Sequence, residues 1–146
     1  MRAVLTRVSS ACVRVDGEVT GEIGKGYLIL LGIGPNDTEA TAAKLAEKIC
    51  NLRIFEDENG KMNLNLETVG GAMLVVSQFT LYADTSSRRP GFTGAAKPEL
   101  AVQGYEWFMA HCRARGFRVE HGVFGAHMDV SSVNDGPVTI LYDTEK

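Results

Sequence analysis

A chain of 146 residues with 45% apolar and 23% charged side chains has the size and make-up of one globular domain, residues 1–146, able to bury its own core. Fifteen basic against eighteen acidic side chains leave a net charge of −3, which argues against the strongly basic field of a protein that coats duplex nucleic acid. No apolar run approaches the roughly 20 residues of a helical membrane span and the N-terminus opens straight into strand pattern, so the expected compartment is the cytoplasm, with neither membrane nor DNA as a partner.

Val4, Thr6 and Val8, then Val13 and Val15, alternate with Arg7 and Arg14 in the period of a strand with one buried face. Asp16-Gly17 signals a two-residue hairpin, with a return strand through Ile23 and a turn at Gly24-Lys25-Gly26. Tyr27 to Ile33 is a continuous apolar run suited to a central strand covered on both faces. Asn36 and Glu39 have capping-box spacing. Ala42, Leu45, Ala46, Ile49 and Leu52 share one helical face, which predicts a helix over residues 38–52 that covers a sheet.

Asp57 to Gly60 reads as a hairpin tip, and Ala72 to Gln78 as another buried strand. From Ala83 to Ala96 the composition turns to Thr, Ser, Arg, Pro and Gly, a long loop. Pro98 suits a helix first turn, and Leu100, Val102, Tyr105, Phe108, Met109 and Cys112 supply the stripe of a second helix ending near Gly116. Strand-like runs at Phe117–His121, Met128–Val133 and Val138–Tyr142 close the chain. The order predicts a mixed α/β fold: a curved, barrel-like sheet with flanking helices.

Cys12, Cys50 and Cys112 lack metal-ligand spacing and form no Cys-x-x-Cys, so they are expected to be reduced, half-buried thiols. No phosphate loop, nucleophile elbow or zinc helix is present, and neither metal nor cofactor is expected. Gly32-x-Gly34 is too short for a dinucleotide fingerprint and reads as a strand-ending turn. Ser77, His127 and Asp129 offer the residue types of a Ser-His-Asp triad, though geometry decides a triad. Arg88, Arg89 and Lys97 form a basic cluster able to meet phosphates. Arg113, Arg115 and Arg118, near the second helix end, read as complements to its dipole.

Two segments stand out: Ser77-Gln78-Phe79-Thr80-Leu81, where a very apolar strand ends in polar residues, and Asn134-Asp135-Gly136-Pro137-Val138-Thr139. Together they resemble the two signature motifs of the D-aminoacyl-tRNA deacylase family. The opening Arg7-x-x-x-Ala11-x-Val13-x-Val15, the Arg89-Pro90-x-Phe92 loop and Phe124-Gly125-Ala126-His127-Met128 follow in the order that resemblance requires, over essentially the whole chain.

The resemblance implies a homodimer with each active site at the subunit interface. It implies that Gly136-Pro137 is a cis peptide reaching into the partner's pocket, that Ser77, Gln78, Phe79 and Thr80 line that pocket, and that Arg7 supports the Gly-Pro loop. Phe124, Ala126, Met128 and Thr139 are implied near the bound terminal adenosine or its support. The implied reaction hydrolyses the labile ester of a D-aminoacyl-tRNA, and glycyl-tRNA with it. Such an ester needs orientation and an oxyanion site more than a strong nucleophile, so main-chain amides at Phe79 and Thr80 are preferred to a covalent Thr80, which has no visible base. The other readings are a Ser-His-Asp esterase and a dimeric module that binds the tRNA end without catalysis.

Overall fold

The alternation that begins at Arg2 produces one 14-residue strand, β1 (Arg2–Val15), in the computed structural model, which describes residues 1–146. Asp16 and Gly17 both take positive φ, 51° and 81°, the geometry of the tight hairpin their sequence signals. They return the chain into β2 (Glu18–Ile23), antiparallel to the second half of β1. The central strand β3 (Gly26–Gly32) pairs with the first half.

Two right-sized crossovers then add parallel strands. Helix α1 (Glu39–Cys50) and a small hairpin of β4 (Phe55–Glu56) and β5 (Met62–Leu64) lead to β6 (Ala72–Ser77), which lies parallel to β3. A 3-10 turn (Phe79–Tyr82), a long loop and helix α2 (Pro98–Ala114) lead to β7 (Val119–His121), parallel to β6. Parallel neighbours need such crossovers, and the helices cover the sheet they cross. The order is β2-β1-β3-β6-β7, and Arg118 Nη2 donates to Glu22 O at 3.0 Å across the gap between the outer strands. The sheet therefore curls into a nearly closed barrel, the mixed architecture read from the sequence.

The apolar runs of β3 and β6 serve two cores. Tyr27, Ile29, Leu31, Met73 and Val75 pack beneath the helices, while Leu28, Leu74 and Val76 fill the barrel interior with Val8, Ala11, Val13 and Ile23. That is why neither strand shows a polar face. Helix α1 buries Ala42, Leu45, Ala46 and Ile49, and α2 buries Tyr105, Phe108, Met109 and Cys112. All three cysteines are buried rather than half-buried, and Cys50 Sγ and Cys112 Sγ stand 4.0 Å apart where the helices meet.

Three sequence expectations are corrected. The cap of α1 is Thr38 with Thr41, not Asn36 with Glu39. Asp37 is turned away, accepting the Gly34 amide at 2.7 Å and the Met1 amine at 2.9 Å, so the helix starts only after it and ends at Cys50, two residues short of 52. The runs at Met128–Val133 and Val138–Tyr142 are one strand, β8 (Asp129–Asp143), along the other edge of β1. Its proline survives because an edge strand has one side free of ladder bonds.

Candidate active site

The end of β6 is where the chain leaves the core. Val76 is buried and Ser77 half-buried, and Gln78 departs from strand geometry with φ −142° and ψ 81°. Gln78 N–H still holds to Leu31 O at 2.8 Å, after which Phe79 to Tyr82 wind into the 3-10 turn. The first bond of the turn runs from Leu81 N–H to Gln78 O at 3.3 Å. The amides of Phe79 and Thr80 come before it, so the turn itself makes no use of them. The Gln78 side-chain amide donates to Thr80 Oγ1.

A cleft of about 550 Å³ opens at this point. Ser77, Gln78 and Phe79 line it together with the segment from Phe124 to Met128. Phe92, Ala95 and Ala96 of the long loop, Pro98 and Ala101 of α2, and Ile33, Val76 and Val130 complete the lining, and Ala96 N–H ties the loop to Ile33 O at 2.9 Å. Phe79 is 53% exposed and meets Phe92 edge-on at 5.2 Å between ring centroids. Phe124 lies 6.3 Å from the Tyr105 ring, whose hydroxyl donates to Val75 O at 3.0 Å; burial pushes that phenol up to about 12. The lining is mainly apolar with a few polar groups, Ser77, Gln78 and His127, the usual character of a small-ligand site. Phe92, Ala95 and Ala96 were not singled out by residue chemistry, although the Arg89-Pro90-x-Phe92 pattern pointed to their loop.

The two signature segments do not meet within the chain. Gly136 and Pro137 are exposed on β8 and do not line the cleft. Their peptide bond is cis. The ladder between β1 and β8 pairs Thr6 with Thr139 and Val8 with Asn134, so residues 135–138 bulge opposite the single Arg7. Arg7 is only 4% exposed. Its Nε donates to Asp135 O at 3.1 Å and its Nη1 to Ile54 O at 2.7 Å, while Glu56 and Asp135 carboxylates lie 3.7 and 3.4 Å from the guanidinium. Glycine suits position 136, since its φ is 123° and a Cβ there would stand 2.8 Å from Arg7 Nη2 and 2.9 Å from Val138 Cγ2. Arg7 thus braces the Gly-Pro bulge. Thr139 is exposed on the same strand, outside the cleft.

The triad arrangement fails on geometry. His127 Nε2 and Asp129 Oδ1 are 4.0 Å apart on side chains 96% and 81% exposed, too far for the hydrogen bond that orients a catalytic imidazole. Ser77 Oγ has no hydrogen-bond partner in the protein. Arg88 and Arg89 sit at the exposed tip of the long loop, whose neck is closed by the paired Asp84 and Gly91; Lys97 caps α2 in solvent. None of the three lines the cleft. Among the helix-end arginines, Arg113 donates to Val119 O at 3.0 Å, Arg115 Nη2 lies 4.0 Å from Glu47, and Arg118 spans to β2.

Fold and cleft together define a class: a small mixed α/β barrel whose cleft opens beside a long edge strand with one free side and shows no hydrogen-bonded nucleophile–base pair. Within that class, the family model described as D-Tyr-tRNA(Tyr) deacylase matches residues 4–143, and the chain belongs to that family. A D-aminoacyl-tRNA deacylase of Koribacter versatilis is 58% identical, with 100% of this chain and 99% of that protein covered. One from Thermus aquaticus is 58% identical, with 100% and 97% covered. A solved structure described as c-Myc DNA Unwinding Element Binding Protein superposes with a TM-score of 0.91 at 40% identity, over 98% of each chain.

Proposed function

We propose that the chain performs the reaction its family is named for, hydrolysis of the ester that joins a D-amino acid to the end of tRNA, in a site completed by a second copy of itself. The observation that carries this reading is the cleft, which Ser77, Gln78 and Phe79 line together with Phe124, Ala126 and Met128 and which is largely apolar. Such a cleft suits the terminal adenine, stacked on the face of an aromatic ring as unpaired bases are in RNA recognition.

The ester is activated already, so catalysis needs a held geometry and hydrogen-bond donors for the developing oxyanion. The amides of Phe79 and Thr80 are those donors in this reading. Thr80 Oγ1 accepts from Gln78 and has no base beside it, which favours water over Thr80 as the nucleophile. Chirality comes from exclusion. A main-chain wall that leaves no room for an L side chain rejects every L-amino acid without reading its identity.

Gly136-Pro137 of the partner subunit supplies that wall. Two facts support the assignment: the bulge is braced by Arg7 yet faces solvent, and β8 leaves one edge unpaired with Val130, Val133 and Leu141 exposed. Long exposed edges of this kind are covered by pairing or by a partner in native proteins. Thr139 supports the bulge from the adjoining ladder. Arg88, Arg89 and Lys97 meet the phosphates of the acceptor end, and the enzyme works in the cytoplasm, where tRNA is charged.

The test compares D-, L- and glycyl esters on one tRNA. D-aminoacyl- and glycyl-tRNA should both be cleaved, glycine having no side chain to exclude, and the L ester should survive. Survival of the glycyl ester at enzyme concentrations that clear the D ester would rule out simple exclusion. Survival of all three would defeat the enzymatic reading and leave a tRNA-end binder.

A further inference from the structure

The 3-10 turn that begins with Phe79 and Thr80 is only four residues long, and so short a turn has little stability of its own. Its own hydrogen bonds tie Leu81 to Gln78 and Ala83 to Thr80. What fixes it against the barrel is a seat and a clamp. The seat is backbone: a Cβ at Gly32 would lie 3.0 Å from Gln78 O and 3.3 Å from Tyr82 Cδ2, and one at Gly34 would lie 2.8 Å from Tyr82 Oη. The two glycines let the Tyr82 ring lie directly on the end of β3.

The clamp is Arg2. Its Nη1 donates to Leu81 O at 2.9 Å, its guanidinium carbon stands 4.4 Å from the centre of the Tyr82 ring, and its Nε donates to Asp143 Oδ2 at 3.2 Å. One planar cation therefore ties the turn to the first residues of β1 and the last residue of β8. Apart from the neighbouring Gln78, whose side-chain amide donates to Thr80 Oγ1, no other side chain from outside the turn hydrogen-bonds to it. A guanidinium can stack and donate in two directions at once, which an ammonium cannot reproduce in full.

We propose that Arg2 is a positioning residue for ester hydrolysis, holding the 3-10 turn so that the Phe79 and Thr80 amides keep a fixed aim. The proposal rests on the reading that those amides serve the reacting carbonyl. Arg2 lines no part of the cleft, so it acts through the turn and leaves adenosine binding alone.

The experiment pairs steady-state kinetics on D-aminoacyl-tRNA with amide hydrogen exchange on the full-length protein, for wild type, R2A, R2M and R2K. R2M keeps the apolar stem over Tyr82 and guards against a packing artefact in R2A. Both neutral variants should lose about tenfold in kcat, the scale of one lost hydrogen bond to a charged donor, with KM changed by less than about twofold. Exchange at Leu81, Tyr82 and Ala83 should quicken in both. R2K should recover to within about threefold of wild-type kcat, since it restores charge and one donor. Unchanged exchange in R2A and R2M would overturn the clamp while leaving the reading of the site intact. Faster exchange at full kcat would overturn the positioning role together with the oxyanion reading beneath it. A rise in KM at constant kcat would make Arg2 a binding residue and overturn the proposal as well.

Discussion

Strands β6 and β8 belong to the same sheet and live under opposite conditions. Each of Ala72 to Val76 in β6 is buried, with alternate residues divided between the barrel interior and the layer beneath the helices. Strand β8 is fifteen residues long, and its first nine are all exposed. One strand is finished within the chain; the other is finished on one edge only. The difference teaches where to look for function in this fold. The cleft begins at the point where β6 runs out of core, at Ser77, and in the proposed function it is completed by the partner's Gly136-Pro137, which is exposed in its own chain.

That contrast breaks most visibly in β6. Leu74 is fully buried in the small interior cluster, which has few neighbours able to shift and fill a void. Leu74→Ala should cost about 2–5 kcal/mol of unfolding free energy, read as a lower urea midpoint with an unchanged slope. A loss below about 1 kcal/mol would mean that the barrel interior is loosely packed and that β6 and β8 differ less than their burial says.

A matching change in β8 should do the reverse. Val133 is 59% exposed, so Val133→Lys should leave the fold within about 0.5 kcal/mol when assessed on the single chain. The same charge would stand in the face that a second copy covers. Sedimentation should show the variant at half the wild-type mass, and deacylation should fall by about tenfold or more because each cleft loses the partner's wall. A variant that keeps the wild-type mass would move the subunit interface away from this part of β8, and a wild type that sediments as a single chain would remove the partner from the mechanism.

The same division explains what could be read from sequence. Features set by neighbours a few residues apart were legible: the Asp16-Gly17 hairpin, the apolar faces of both helices, Pro98 opening α2, and the two-sided burial of β3. Features set by distant contacts were not. Asn36 lost the cap to Thr38 because Asp37 is engaged by Gly34 and Met1. Met128–Val133 and Val138–Tyr142 read as two strands because nothing local shows that Arg7, far away in sequence, holds the Gly136-Pro137 bulge within one continuous strand. Gly32-x-Gly34 read as a strand-ending turn, and its use as the seat of Tyr82 shows only when residues nearly fifty positions apart are brought together. The motifs carried the site by resemblance, whereas the cleft that unites residues 77–79 with 124–128 has no local signature at all.

The mildest prediction concerns the far end of β8, where the exposed strand is tied back to the barrel. Asp143 accepts the Glu145 amide at 3.0 Å and Arg2 Nε at 3.2 Å. The Glu145 hydrogen bond first, and the nearby Arg2 and Lys146 charges after it, hold its carboxyl below the usual carboxylate range. A carboxylate depressed in the folded state contributes stability above its unfolded pKa of about 4 and loses it as the pH falls through the lower folded value. Asp143→Asn should therefore cost less than about 1 kcal/mol at neutral pH, the scale of a solvent-screened ion pair, and nothing once the wild-type carboxyl is itself protonated. Thermal midpoints measured from pH 6 down to pH 2 should start apart and converge at the acid end. Parallel curves would mean that Asp143 holds Arg2 by packing rather than by charge, and that the tie between β8 and the 3-10 turn does not weaken in acid.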